Sequence, residues 1–424
     1  MIQATNELIL GVELNDAYAQ ITYYHQSVRE PVTVGAPEDA QELQFPMGLR
    51  RDSGGSWHFW RGEPQSEDDE PDVFRIGDIF GKLRRAEPIE ENGQKMEGEE
   101  LLCIYLKTCF DTIKLLVHNS ELHVMVTVRN LTEELGALIA GALERAGVER
   151  RRIYLQDYLS SFYYYAVNQK KELWYQDVAL LEYEDEAITG YVLHIDRTTK
   201  PAIARVEKAA RQPVDEKIRA GRSEQDWKKE KDRLFFELLK KVFERRTIST
   251  SYLMGDYFNK SWAERSIQYL CYKRHAFQGK NLYSKGACYA AMERAGLIVV
   301  RDMLFGGRDM IERNLGMEMR VRGKDTFYPL VSAGINWYEA HHVCEFTMND
   351  EREIRIISQP MAAGESIVHM MRLPGLPSRP NRATRLRLDV YFSSPTKFHI
   401  EVEDMGFGGL YKPSGLVWER TVTF

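Results

Sequence analysis

Three consecutive carboxylates, Glu184-Asp185-Glu186, interrupt the β-rich run VALLEYEDEAITGYVLHI. The triplet is a polar hairpin turn with no ligand, or its clustered oxygens hold a divalent cation such as Ca²⁺ or Mg²⁺. The turn is the simpler reading. A second polar break, Asn15-Asp16, divides ELILGVELNDAYAQITYY, and Asn tolerates the positive φ of a tight turn. His341-His342 falls on an expected strand, where neighbouring side chains point to opposite faces, so the pair does not share one metal. Cys103 and Cys109 stand six apart on one expected helix, a poor spacing for a shared ligand, and read as core thiols. Phe162-Tyr163-Tyr164-Tyr165 reads as packing rather than a binding platform. The chain has no Gly-x-Ser-x-Gly and no His-Glu-x-x-His, so serine hydrolases and zincins have no support.

These residues must be positioned by the elements around them. Glu7 to Tyr24 is expected to form a strand, a tight turn and a returning strand. Phe45 to Trp60 reads as a strand pair around Ser53-Gly54-Gly55, followed by a solvated acidic loop from Glu63 to Asp72. Leu102, Leu106, Phe110, Ile113 and Leu116 make one stripe of a helix over Glu99 to Val117. Next come a buried-type strand at His123 to Val128 and a helix at Thr132 to Ala146, closed by Gly147. A strand at Arg152 to Leu155, a Tyr-rich helix at Tyr158 to Asn168 and a strand at Val178 to Tyr183 follow. Strand–helix alternation of this kind indicates an α/β layer on a central sheet.

Asp226 to Arg246 is a strongly amphipathic helix whose basic face reads as solvated rather than as a nucleic-acid or lipid surface. A short strand, Tyr252 to Gly255, and helices at Trp262 to Tyr272 and Gly286 to Ala295 complete this part. From about Asp309 the pattern becomes short alternating strands, clearest in Arg385 to Phe392 and Phe398 to Val402 around a Ser-Ser-Pro turn. Pro374, Pro377 and Pro380 mark a connection before them. The boundary is placed between Ile298 and Asp309. No internal repeat is visible.

At 424 residues, with 43% hydrophobic and 28% charged residues, the chain has material for two or three cores. A net charge of −6 argues against a nucleic-acid partner. No apolar run reaches the length of a membrane span, and MIQATNELILGVEL lacks the basic start of a signal peptide. Five cysteines, odd in number, widely spaced and without CxxC, argue for reduced thiols and a cytoplasmic chain.

The order of these elements, with certain local strings, resembles the heat-shock-seventy (DnaK-type) chaperones of the actin-like ATPase superfamily. LILGVELNDAYAQITYY sits at that family's first phosphate loop, and GEPQ at Gly62 to Gln65, then FRIGDIFGKLRR, at its next loop and helix. VTVRNLTEELGALIAGALERAGVERRRIYLQDYLSSFYYYAV resembles the middle of the first lobe, and VALLEYEDEAITGYVLHI the second phosphate hairpin. YLMGDYFNKSW and NLYSKGACYAAM resemble the adenosine loop and the helix after it. REIRIISQP, LPGLPSRP and RLRLDVYFSSPTKFHIEVEDMGFG look like the substrate-binding sandwich of the same family. The resemblance implies an α/β actin-like (ribonuclease-H-like) two-lobed ATPase fold over 1–303, with lobes of about 1–175 and 176–303. A β-sandwich resembling the chaperone substrate-binding domain follows over 309–424. The segment that would clamp adenine is short, and the family's helical lid has no counterpart.

On that alignment the nucleotide-binding positions are degenerate. Gly11 is kept, Glu13 stands for a metal-side aspartate, and Asn15 and Asp16 replace glycine and a hydroxyl residue. Glu182 replaces aspartate, and Glu184, Asp185 and Glu186 replace three glycines. Gly255 is kept and Asp256 replaces its glycine neighbour. The lysine position falls near Ser66, and the proline and acidic pair of the interlobe connection become Tyr158 and Asp157. A phosphate loop needs bare backbone N–H groups, and a carboxylate there repels the ligand. The expectation is therefore a pseudo-ATPase with no catalytic residues and no required cofactor, ATP and Mg²⁺ being disfavoured. It would act as a chaperone-like binding or scaffold protein for a protein or extended peptide. The resemblance also offers a true heat-shock-seventy type ATPase as partner. The alternatives are a divergent ATP-binding chaperone or actin-like ATPase, and a structural partner in a cell-envelope or division complex.

Overall fold

A computed structural model describes residues 7–24, 30–35, 44–62, 74–91, 94–113, 121–184, 186–198, 200–214, 221–255, 258, 261–298, 303–321, 323–349, 352–361 and 364–424. The chain divides into two compact units, Met1–Met303 and Leu304–Phe424.

The first unit holds two large sheets. In one, β1 (Glu7–Leu14) pairs antiparallel with β2 (Tyr18–Tyr24) and parallel with β3 (Glu121–Val128), which pairs parallel with β4 (Ile153–Asp157). The two-residue strand Val32–Thr33 lies antiparallel on the far side of β2. Seven consecutive residues of β1 are buried, as expected for a strand covered on both faces. Leu8, Leu10, Val12 and Leu14 face one way, towards α1 (Gly98–Asp111) and α2 (Glu133–Arg145). Ile9 faces the other way, with Met125 of β3, towards Ala287, Cys288 and Ala291.

In the second sheet, β5 (Asp177–Glu184) pairs antiparallel with β6 (Ala187–Asp196), and β6 antiparallel with β7 (Ala202–Pro213). On its other side β5 pairs parallel with β8 (Ile248–Met254), and β8 parallel with β9 (His275–Gly279). Each sheet thus has the same plan: a central strand, its antiparallel hairpin partner with a further strand outside it, and two parallel strands opposite. No repeat of residues betrays this doubling. The strands β7 and β9 also escape the sequence reading.

Two helices join the sheets' neighbourhoods: α3 (Tyr158–Val167) and, late in the chain, the helix Leu282–Arg294. Between them in sequence, α4 (Glu224–Phe243) lays Leu234, Phe235, Leu238, Leu239 and Val242 on the second sheet. Its opposite face is laced by Lys228–Glu224, Arg233–Glu230 and Lys240–Glu237 ion pairs. Gly286 lets Leu282–Arg294 approach α3 so closely that a Cβ would strike the Ser161 carbonyl.

The second unit is an antiparallel β-sandwich. One sheet runs Lys324–Val331, Arg313–Val321, Glu353–Pro360, Ile367–Arg372, and the other His341–Met348, Thr384–Ser394, Lys397–Gly406, Val417–Thr423. Leu315, Met317, Ile354, Ile356 and Met371 meet Leu386, Leu388, Val390, Phe398, Ile400 and Val402 between them. His341 turns outward to Asp389 at 2.8 Å, while His342 turns to the Tyr328 ring. Arg379 and Asp404 form a buried bidentate ion pair at 2.6 and 2.7 Å, and Asp404 also accepts from the Gly406 and Ser414 amides.

Candidate functional site

The hairpin between β1 and β2 turns without the positive φ that Asn15 would tolerate. Asn15 instead folds the backbone through its side chain: Oδ1 accepts from Ala17 N and Tyr18 N, both at 2.9 Å. This brings the hydroxyl of Tyr18 back to the carboxylate of Glu13, the second-last residue of β1, at 3.2 Å. Asn15 Nδ2 donates to the same Oε1 at 3.4 Å, and so does the Tyr158 hydroxyl at 3.2 Å. Glu13 is 1% exposed, and its Oε2 has no partner. Burial lifts the Glu13 carboxyl to about 7, against hydrogen bonds from Tyr158, Tyr18 and Asn15 and the nearby Arg129 charge.

The end of β5 supplies the facing group. Glu182 is buried, and the Arg129 guanidinium binds it through both nitrogens, at 3.1 and 3.3 Å. Arg129 also bonds Glu184, whose side chain is half exposed. The Tyr283 hydroxyl donates to Glu182. Tyr283 stacks on Tyr158 with centroids 4.2 Å apart, and Arg129 lies 5.0 Å above the Tyr158 ring. The result is one connected cluster: Tyr18, Glu13, Tyr158, Tyr283, Glu182, Arg129, Glu184. It draws on the ends of β1 and β5, the segment after β3, and the starts of two helices. Burial and the Glu13 charge keep the Tyr18 and Tyr158 hydroxyls protonated, and burial and the Glu182 charge do the same for Tyr283.

The other positions singled out from sequence scatter. Gly11 sits inside β1 and faces Leu282–Arg294, where a Cβ would collide with the backbone of Ser284 and Cys288. Its bareness serves helix packing, not the approach of a phosphate. Asp16 points outward and pairs with Arg84 at 2.6 Å. Asp157 is the N-cap of α3, accepting from Ser160 N at 2.7 Å. Glu186 is exposed, and its carbonyl accepts from Val214 N. Gly255, at φ 109°, lies against the Tyr183 carbonyl, so only glycine fits. Asp185, Asp256 and Ser66 lie outside the described residues, as does the whole acidic loop from Glu63 to Asp72.

Arg129, Tyr18 and Tyr283 are the members that sequence reasoning did not single out. The signal for Arg129 is slight: a lone cation directly after six consecutive buried residues. Its presence changes the chemistry. Two of the carboxylates expected to repel a phosphate share one guanidinium, and the hydroxyls of Tyr18, Tyr158 and Tyr283 donate to Glu13 and Glu182. Among the described residues no group of three or more His, Cys, Asp or Glu could hold a metal ion. A cavity of about 770 Å³ opens over Leu83, Ile89, Met96 and Leu135, and none of the cluster's carboxylates lines it.

Residues 30–305 match the model of a family of unknown function, DUF5716, in its C-terminal part, and residues 310–424 match a domain of unknown function, DUF8552. No curated protein matches the chain. No helix among the described residues is long and apolar enough to cross a membrane.

Proposed function

The chain belongs to the DUF5716 family of unknown function, and from that premise we propose that it is a non-catalytic, chaperone-like binding or scaffold protein. Its first unit is a pseudo-ATPase with an actin-like plan, and its sandwich is the binding module. What favours the two-lobed plan is the doubled sheet, with the same strand order on each side. What favours the loss of nucleotide chemistry is the Arg129 cluster.

That cluster is the observation on which the reading rests. A triphosphate with Mg²⁺ needs approachable N–H groups and spare positive charge at the hairpin ends. Here the hairpin ends carry Glu13 and Glu182, and Arg129 is already committed to Glu182 and Glu184. To admit a phosphate, the cluster would have to release the Arg129–Glu182 fork and leave the buried Glu182 carboxylate facing an anion. At an effective dielectric near 20, such a contact at 4 Å costs about 4 kcal/mol. The closed cluster does without ligand the work of holding the two hairpins together.

The test is calorimetric titration of the full chain with ATP and Mg²⁺ at millimolar concentration, alongside a phosphate-release assay. A silent titration is expected. Saturable binding with turnover would overturn the reading.

A further inference from the structure

The sandwich treats its sheet edges unequally. A free edge exposes unpaired N–H and C=O groups, and proteins guard such strands with proline, charge or a bulge. The edge Lys324–Val331 carries Lys324, Pro329 and a register shift against Leu315. In the other sheet, His341–Met348 carries Glu345, and Val417–Thr423 carries Glu419 and Arg420. The fourth edge, Ile367–Arg372, has neither proline nor charge until its last residue.

This unguarded edge also ends an apolar row. Pro329, Gly316, Ile357 and Val368 stand opposite one another across the four strands, on the outer face of the sheet. Leu315, Met317, Ile356 and Met371 point the other way, into the core. The Phe327 ring fills the space that a Cβ on Gly316 would take. Val368 is 52% exposed and Met370 43%. The next outward residue, Arg372, is exposed, and Arg352 lies beside it, its carbonyl accepting from Leu373 N. Arg372 stands opposite Glu353, which is taken by Arg355 at 3.3 Å, and neither Arg372 nor Arg352 forms an ion pair of its own among the described residues.

We propose that the edge strand Ile367–Arg372 takes an extended peptide by strand addition, with two apolar side chains two residues apart beside Val368 and Met370 and an acidic side chain beside Arg372. The backbone of the edge supplies sequence-independent hydrogen bonds. The outer face supplies selection, because side chains on one face recur every second residue. The pair of unpartnered arginines makes the acidic end of the motif the preferred one. This inference rests on the reading of the sandwich as the binding module.

The probe is a fluorescein-labelled heptapeptide, Asp-Thr-Val-Thr-Val-Thr-Asp, whose symmetry allows either strand direction, titrated by anisotropy against the full chain. Saturable binding is expected. It should weaken at least tenfold in Val368→Asp and in Arg372→Gln, both at exposed positions on the outer face. It should also weaken with a peptide N-methylated at alternate residues, which removes the strand hydrogen bonds and leaves the side chains. Equal binding of the methylated peptide, or unchanged binding by both variants, would overturn strand addition. So would a wild-type chain that ignores the peptide. So would a chain dimer that Val368→Asp dissolves, since a second copy would then own the edge. A silent peptide with a silent ATP titration removes the edge proposal alone, whereas ATP turnover removes the broader reading.

Discussion

Replacing Arg129 by methionine keeps an unbranched apolar stem and deletes the guanidinium with its charge. Glu182 then keeps the Tyr283 hydroxyl but loses both guanidinium bonds, in surroundings that leave its side chain 5% exposed. Breaking one side of a buried ion pair costs about 3–5 kcal/mol, because the surviving charge stays desolvated. Arg129 also covers the Tyr158 ring, but that contact adds only about 0.5–1 kcal/mol where solvent reaches it. At about 2 °C per kcal/mol for a unit of this size, the melting temperature should fall by roughly 6–10 °C. The decisive assay is a double-mutant cycle in urea at pH 8. Glu182→Gln in the Arg129→Met background removes the stranded charge and should recover about 2–3 kcal/mol, so the two losses are far from additive. If Arg129→Met costs under about 1 kcal/mol, or if the losses simply add, Arg129 is a surface residue and the cluster is not a lock. The pseudo-ATPase reading would lose its support with it.

Two further outcomes follow from buried carboxyls of opposite behaviour. Burial raises Glu13 from an ordinary 4.5 to about 7, so the folded state holds that proton more tightly than the unfolded one. Its contribution is intact below about pH 4.5 and is lost as the pH climbs through 7, a loss of about 3 kcal/mol that Glu13→Gln should abolish in urea melts across pH 5–8. Burial by itself would raise Asp404, but hydrogen bonds from Arg379 and Ser414 hold it well below the carboxylate range. That pair's contribution is therefore present above about pH 4 and declines on further acidification. Arg379→Met should cost about 3–5 kcal/mol at pH 7 by the same stranding argument and should reduce the acid sensitivity of the sandwich.

How much of this was legible varies with what each feature depends on. The strand at Glu7–Leu14, the helix at Glu224–Phe243 and the hairpin around Ser394 show in the sequence because burial on one face, or both, leaves a period in the residues. The strand Ala202–Pro213 leaves almost none: in AIARVEKAARQP only Ala204 is buried, so its pairing with Ala187–Asp196 is carried by backbone bonds that any residues could make. The doubled sheet is hidden for a related reason. Strand order constrains which segments are apolar, not which apolar residue stands where, so two copies need share no letters.

The site was half legible. The carboxylates at Glu13 and Glu182 stand out as misplaced charge on β-rich runs, and a turn at Asn15 is plain. What satisfies them comes from segments more than 50 residues apart in every case but Asn15 and Tyr18, since Arg129, Tyr158 and Tyr283 reach the cluster from three separate elements. The pairing of those carboxyls is a property of the folded assembly of segments. Gly11 misled for another reason: a bare backbone is needed equally by a phosphate and by a tightly seated helix.

That tight seating sets a schedule for synthesis. The back of the first strand, at Ile9 and Gly11, is covered by residues 284–291, which leave the ribosome some 270 residues later. At 5–20 residues per second the nascent chain must carry that apolar surface bare for on the order of 15–50 s. A cell making this protein has to shield its opening segment for that interval, and a ribosome stalled before residue 282 would release a chain with a sticky, half-clad sheet.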